Sequence, residues 1–167
     1  MKNLILILIA VMSVSSFAGV KIGVINMQKV LGTIKAGKAV KATLDKSVKA
    51  KQKQLKKEEG ELKKLQSSIQ KQSSLLSKKA LAKKENELRT RYIALQKKSV
   101  DFEKQIRKQE AELKKPIIKN LNPIIDSVSK SKNVDITFDL LSAPIFYAKE
   151  KINITKDVIK AYDKKHK

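Results

Sequence analysis

The sequence predicts an α+β chain: a long antiparallel helical hairpin, coiled-coil-like, inserted into a small β body. Three observations carry that prediction. A strand-like run near the start, Val20–Asn26, is answered by a second alternating run near the end, Val134–Leu140. Between them, from about Lys35 to Val128, the chain is rich in Lys, Glu, Gln, Leu and Ala, all good helix formers, and after Gly37 only Gly60, Pro116 and Pro123 interrupt it. Within that stretch the apolar residues form two heptad sets that do not share a register, which favours a turn over a single rod.

The first residues read as a targeting segment. Lys2 supplies a basic start, Leu4–Val14 is an apolar run shorter than a membrane span needs, and Ser16 and Ala18 are small residues suited to cleavage after Ala18. An uncleaved membrane anchor is the bland alternative. Cleavage would leave Gly19–Lys167, and with no Cys the exported chain uses no disulfides, which suits a Gram-negative periplasm at least as well as the extracellular medium. In Val20–Asn26, apolar Val20, Ile22 and Val24 alternate with Lys21 and Gly23, the pattern of a half-buried strand. Met27 is read as core at the strand end.

The first helical set places Val48, Leu55, Leu62, Ile69 and Leu76 at a, with Leu44, Lys51, Glu58, Leu65 and Gln72 at d. The second places Leu81, Leu88, Leu95, Phe102 and Gln109 at d, with Glu85, Tyr92, Ser99, Ile106 and Leu113 at a. Each helix can bury one narrow seam, interrupted by polar residues. The phase breaks near Gln72–Ser77, and Ser77 is suited to cap a second helix beginning at Lys78. A helix, a turn near residues 73–77 and a returning helix follow; the alternative is one rod with a register shift. Leu55, Leu62, Ile69, Leu95, Phe102 and Ile106 are expected between the two helices.

After Pro116 the apolar stripe widens to Ile117, Ile118, Leu121, Ile124, Ile125 and Val128, as on a helix packed against a sheet. Ser129–Asn133 reads as the exit turn and Val134–Leu140 as a strand. Ile145–Ala148 is expected as a short strand or strand-like return, and Thr155 as the N-cap of a final helix bearing Val158, Ile159 and Tyr162. The domains are thus a signal peptide over 1–18, an arm over 35–116 with its turn near 73–77, and a body made of 19–34 and 117–167. That body is below the size at which one core is comfortably stable, so its strands are expected to associate between chains.

Composition narrows the function. Lys and Arg number 38 against 16 Asp and Glu, a formal charge of +22, and most of the excess falls on the arm. No Cys and one His, His166, exclude thiolate chemistry and make a Ser-His-Asp triad or a His-rich metal site improbable. Paired carboxylates such as Glu58–Glu59 and Glu110/Glu112 sit among lysines with no Gly-rich phosphate loop, so neither an enzyme nor a cofactor is expected. The basic charge alone fits a nucleic-acid surface, but export and the scarcity of stacking aromatics oppose one. A solvated helix face is the bland reading of the lysines.

Four segments together resemble the Skp/OmpH family of periplasmic chaperones for outer-membrane proteins. They are VKIGVINMQKVL (Val20–Leu31), LLSKKALAKKENEL (Leu75–Leu88), ELKKPIIKNLNPIIDSV (Glu112–Val128) running into NVDITFDL (Asn133–Leu140), and IFYAKEKINITKDVIKAY (Ile145–Tyr162). The likeness rests on their order and spacing over essentially the whole mature chain. Asn153 departs from an Asp common before the Ile-Thr pair, and Pro123 is an added proline in the return helix.

The resemblance implies a homotrimer with a β-barrel-like body and three hairpin arms enclosing a cavity. There an ATP-independent holdase would keep unfolded outer-membrane proteins from aggregating before insertion. Val20, Ile22, Val24, Ile124, Val128, Val134, Ile136 and Phe138 are then the expected body and trimer core. Many shallow contacts, rather than one fixed pose, spare a disordered client its ordering entropy. The expected client contacts lie near the turn: Lys71, Leu75, Leu76, Lys78, Lys79, Leu81, Lys83, Lys84, Arg89, Arg91 and Tyr92. Anionic lipid or lipopolysaccharide is a further expected contact, and no specific nucleic acid is expected. The competing reading is a basic envelope, nucleic-acid- or lipid-binding coiled coil without chaperone activity.

Overall fold

The structure, a computed structural model, describes residues 19–166. The apolar run over 4–14 and the cleavage expected after Ala18 lie outside the described residues. The elements run β1 (Ile22–Ile25), α1 (Met27–Thr33), α2 (Lys35–Gln72), α3 (Lys78–Ser131), β2 (Ile136–Asp139), β3 (Lys151–Asn153) and α4 (Thr155–Lys165). Helices α2 and α3 pack on each other as an antiparallel hairpin between β1 and β2, which excludes the single rod.

The three strands form one parallel sheet in the order β2-β1-β3. Register pairs Ile22 with Ile136 and Lys151, and Val24 with Phe138 and Asn153. Because side chains alternate along a strand, Gly23 and Ile25 share one face with Thr137 and Ile152, while Ile22, Val24, Ile136 and Phe138 occupy the other. The first face meets the helices: Ile25 and Ile152 belong to the core with Val30, Ile34, Leu121, Ile154 and Val158. Gly23 is needed there, since a Cβ would stand 2.6 Å from Val134 Cγ1 and 2.8 Å from Thr137 Oγ1.

Several expectations change. Residues 27–33 form a helix rather than a strand end. Asn26 caps it by accepting a hydrogen bond from Lys29 N–H at 2.7 Å, and the spacing of Met27, Val30, Leu31 and Ile34 places all four against the core. At the next joint, Gly37 lets α2 pass the end of α1; a Cβ there would fall 1.7 Å from the Leu31 carbonyl oxygen.

Ile145–Ala148 is irregular, and the third strand is Lys151–Asn153. β1 is paired on both sides, by β2 and by that later segment, and Ile145–Ala148 pairs with neither sheet edge. Thr155 is the first residue of α4, not its cap. Its hydroxyl accepts from Asn26 N–H at 3.0 Å, joining the start of α4 to the end of β1, while Asn153 Oδ1 accepts from Thr155 N–H at 3.0 Å. Ile118 points outward, 41% exposed, although it was expected in the core.

Helix α3 continues through Pro116 and Pro123. Both prolines are exposed, so the carbonyls that lose a donor can turn to water. The helix ends at Ser131, and the chain turns away two residues later at Asn133, whose left-handed φ of 53° an Asn tolerates. Asn133 N–H donates to the Lys130 carbonyl and Val134 N–H to that of Ser129, which satisfies two terminal carbonyls of the helix.

Candidate functional site

The arm begins where α2 leaves the body. Lys35 N–H, an unpaired donor of the first turn, donates to Asp163 Oδ1 of α4 at 3.2 Å. From there the seam follows the heptads, with Leu55, Leu62, Leu95, Phe102 and Ile106 half-buried and Ile69 buried.

The three polar residues that interrupt the α2 side of the seam have partners on α3. Lys51 Nζ donates to Gln105 Oε1, Lys98 Nζ to Glu58 Oε1, and Lys84 Nζ to Gln72 Oε1. A step of seven along α2, from 51 to 58, is matched by seven along α3, from 105 to 98; the fourteen from 58 to 72 is matched by fourteen from 98 to 84. These bonds therefore sit in one antiparallel register, and a slip by one heptad would break all three. Phe102 lies beneath the first two lysines, with Lys51 Nζ 4.2 Å and Lys98 Nζ 5.8 Å from its ring centre, within the range of cation–π attraction.

At the far end, Ser73–Leu76 turn the chain, and Leu75 and Leu76 N–H both donate to the Gln72 carbonyl. Ser77 caps α3 by accepting from Ala80 N–H at 3.3 Å. The turn gathers Lys71, Leu75, Leu76, Lys78, Lys79, Leu81, Lys83 and Lys84 at the tip. Leu75 is 84% exposed and Leu76 and Leu81 half-buried; the lysines are exposed except Lys84, which is half-buried in its bond to Gln72.

Arg89, Arg91 and Tyr92 are not at the tip but on the shaft. Arg91 pairs with Glu87 at 2.7 Å. Arg89 and Tyr92 line an open cleft of about 720 Å³ with Leu55, Leu62, Leu88 and Leu95, where the seam gapes. Two further exposed shaft residues, Ile93 and Val100, belong to neither heptad set, and their spacing of seven is the sequence signal for them.

In the body, Val24, Ile124, Val128 and Val134 are buried, Ile22 and Phe138 half-buried, and Val20 and Ile136 exposed in the single chain. Asp139 closes the base. Burial raises its pKa, but donation from Met27 N–H, the Ser142 hydroxyl and the backbone of Leu141 and Ser142 outweighs that and holds the carboxyl below its usual range.

Among the described residues no group of acidic, His or Cys side chains could hold a metal ion, and no helix is long and apolar enough to cross a membrane.

The sequence profile of the family described as Outer membrane protein (OmpH-like) matches residues 21–162. A solved structure with the same fold is that of a candidate outer membrane chaperone, OmpH-like, from Caulobacter crescentus CB15. It is 20% identical with a TM-score of 0.68, over 89% of this chain and 86% of that one. No curated protein matches the chain in sequence. The matching family is periplasmic and its members are chaperones rather than enzymes. With β1 and the strands after the hairpin sharing one sheet, and the match running from Lys21 to Tyr162, the chain belongs to the OmpH-like (Skp) family of outer-membrane-protein chaperones.

Proposed function

We propose that this chain is an ATP-independent holdase of the periplasm, exported by its first 18 residues and cleaved after Ala18. It holds unfolded outer-membrane proteins between helical arms until they insert. The observation that carries this reading is the arm itself: two long helices bury only one narrow seam together, which leaves most of a cationic surface to solvent. Between Lys35 and Lys119 there are 26 Lys and Arg against 10 Asp and Glu.

The arms stand on a trimer. On the sheet face that carries Ile22, Val24, Ile136 and Phe138, Val24 is buried, but Ile136 is 47% exposed and Ile22 and Phe138 are half-buried, and Val20 just before β1 is 64% exposed. The following loop offers Leu141, Phe146 and Tyr147 at 60%, 98% and 84% exposure. So much apolar surface on a small body, with strand edges open at β2 and β3, calls for cover by further copies. Three like-charged arms then repel one another and stay splayed, although screening over about 8 Å confines that repulsion to close approach. Accessory contact with anionic lipid or lipopolysaccharide is assigned to the lysine-rich tip.

The test is dilution of a urea-unfolded outer-membrane β-barrel into buffer with and without the purified protein. Turbidity is suppressed at low salt and less so at high salt. Precipitation at both ionic strengths contradicts the holdase, and suppression indifferent to salt contradicts the electrostatic part.

A further inference from the structure

Ile93 and Val100 are 57% and 50% exposed, and Ile118 farther down α3 is 41% exposed. At 3.6 residues per turn these three lie in one row with exposed Ala111, well around the helix from the seam residues Leu88, Leu95 and Phe102. The row reaches about 37 Å from Ile93 to Ile118 at 1.5 Å per residue. Its flanks carry Arg89, Lys97, Lys104, Arg107, Lys114 and Lys115; Arg107 pairs with Glu103 at 3.7 Å and Lys114 with Glu110, while the other four have no ion-pair partner among the described residues.

Helix α2 has no such feature: each of its large apolar side chains, from Val40 to Ile69, is half-buried or buried. The cleft of about 720 Å³ opens toward the same side of α3, since Arg89 and Gln96 border both it and the row. Tyr92, 56% exposed, stands between them.

We propose that this side of α3 is the track along which an acidic, intermittently apolar stretch of unfolded polypeptide lies lengthwise, its apolar residues on Ile93, Val100, Ile118 and the cleft and its carboxylates on the flanking cations. The proposal rests on the holdase reading above and moves the main contact from the tip to the shaft. A second arm is a poor occupant because its own unpaired Arg89, Lys97, Lys104 and Lys115 would face their like. A flat lipid surface meets the exposed Leu75 at the tip before a row running down the side. A linear polymer matches the row, which accommodates about 11 residues of extended chain at about 3.3 Å each.

The chain has no Cys, so single thiols are unique reporters. Ile93→Cys, Val100→Cys and Ile118→Cys are compared with Leu75→Cys at the tip and with Ala42→Cys and Ala50→Cys, exposed on the back of α2. Labelling by a charged maleimide is followed with and without a saturating, urea-unfolded, acidic outer-membrane β-barrel, and with reduced, unfolded lysozyme as a basic chain. The barrel slows labelling at 93, 100 and 118 by about fivefold, as expected for high occupancy, and leaves 42 and 50 within about twofold. Lysozyme protects far less.

Equal protection on α2, protection confined to 75, or equal protection by lysozyme overturns the track. Protection of the row by phosphatidylglycerol vesicles but not by the barrel gives it to lipid and also overturns the proposal. Suppressed aggregation without protection overturns the track alone, whereas no protection with unsuppressed aggregation overturns the holdase reading and the track together.

Discussion

Gly37 and Gly60 occupy the same helix yet respond oppositely to a methyl group. At Gly37 the added carbon would meet the Leu31 carbonyl oxygen at 1.7 Å, and backbone cannot yield as a side-chain end does. Gly37→Ala is therefore expected to lower stability by about 3 kcal/mol. At Gly60 nothing lies within 4 Å, and Gly60→Ala should raise stability by about 0.5–1 kcal/mol through the unfolded chain's lost freedom. Urea titration of both variants checks the opposite signs. Asp139 sets a different residue-scale expectation. Its pKa is lowered in the fold, so its contribution is complete above the ordinary value of 3.8 and is lost as pH falls through the lower folded value. Asp139→Asn should cost about 1 kcal/mol at neutral pH, allowing for partial exposure, and the gap to wild type should narrow below pH 3.8. A gap independent of pH would show that the carboxylate charge contributes nothing.

The hairpin is held by a half-buried seam whose polar interruptions on α2 are paired, which makes register a property of a few side chains. Glu58 and Lys98 are each 32% exposed, intermediate between surface and core. A double-mutant cycle with Glu58→Ala and Lys98→Ala should give a coupling of about 0.5–1 kcal/mol that weakens with salt. Zero coupling would leave register to the leucines alone. The hairpin was legible in the sequence because its signals are local: heptad spacing, the phase break after Gln72, and a Ser positioned to cap Lys78. Helix α1 is masked, because the strand pattern of Val20–Asn26 runs straight into Met27, although Asn26 with Met27, Val30, Leu31 and Ile34 carries a cap and a helical period. Ile145–Ala148 has strand chemistry, but the place beside β1 is filled by Lys151–Asn153, and Thr155 has cap chemistry spent on Asn26 instead. Both segments are decided by long-range partners, which composition and spacing do not reveal. The exposed row of α3 is hard to read from the sequence for a related reason: Ile118 stands among the apolar neighbours of the body stretch, and Ile93 and Val100 fit neither heptad set.

On the scale of the whole molecule the chain divides its surfaces by chemistry. The body collects apolar area on the sheet face with Ile136 and on the loop with Phe146 and Tyr147, while the arm carries the charge. A single copy leaves the first uncovered and gives the second nothing to enclose. Assembly on the body and capture between the arms are therefore one proposition, and both are read in a single experiment. Light scattering after size exclusion, with and without one urea-unfolded outer-membrane β-barrel, should give a particle of three chains alone and three chains with one barrel after mixing. A particle of one chain that leaves the barrel to precipitate would contradict the account.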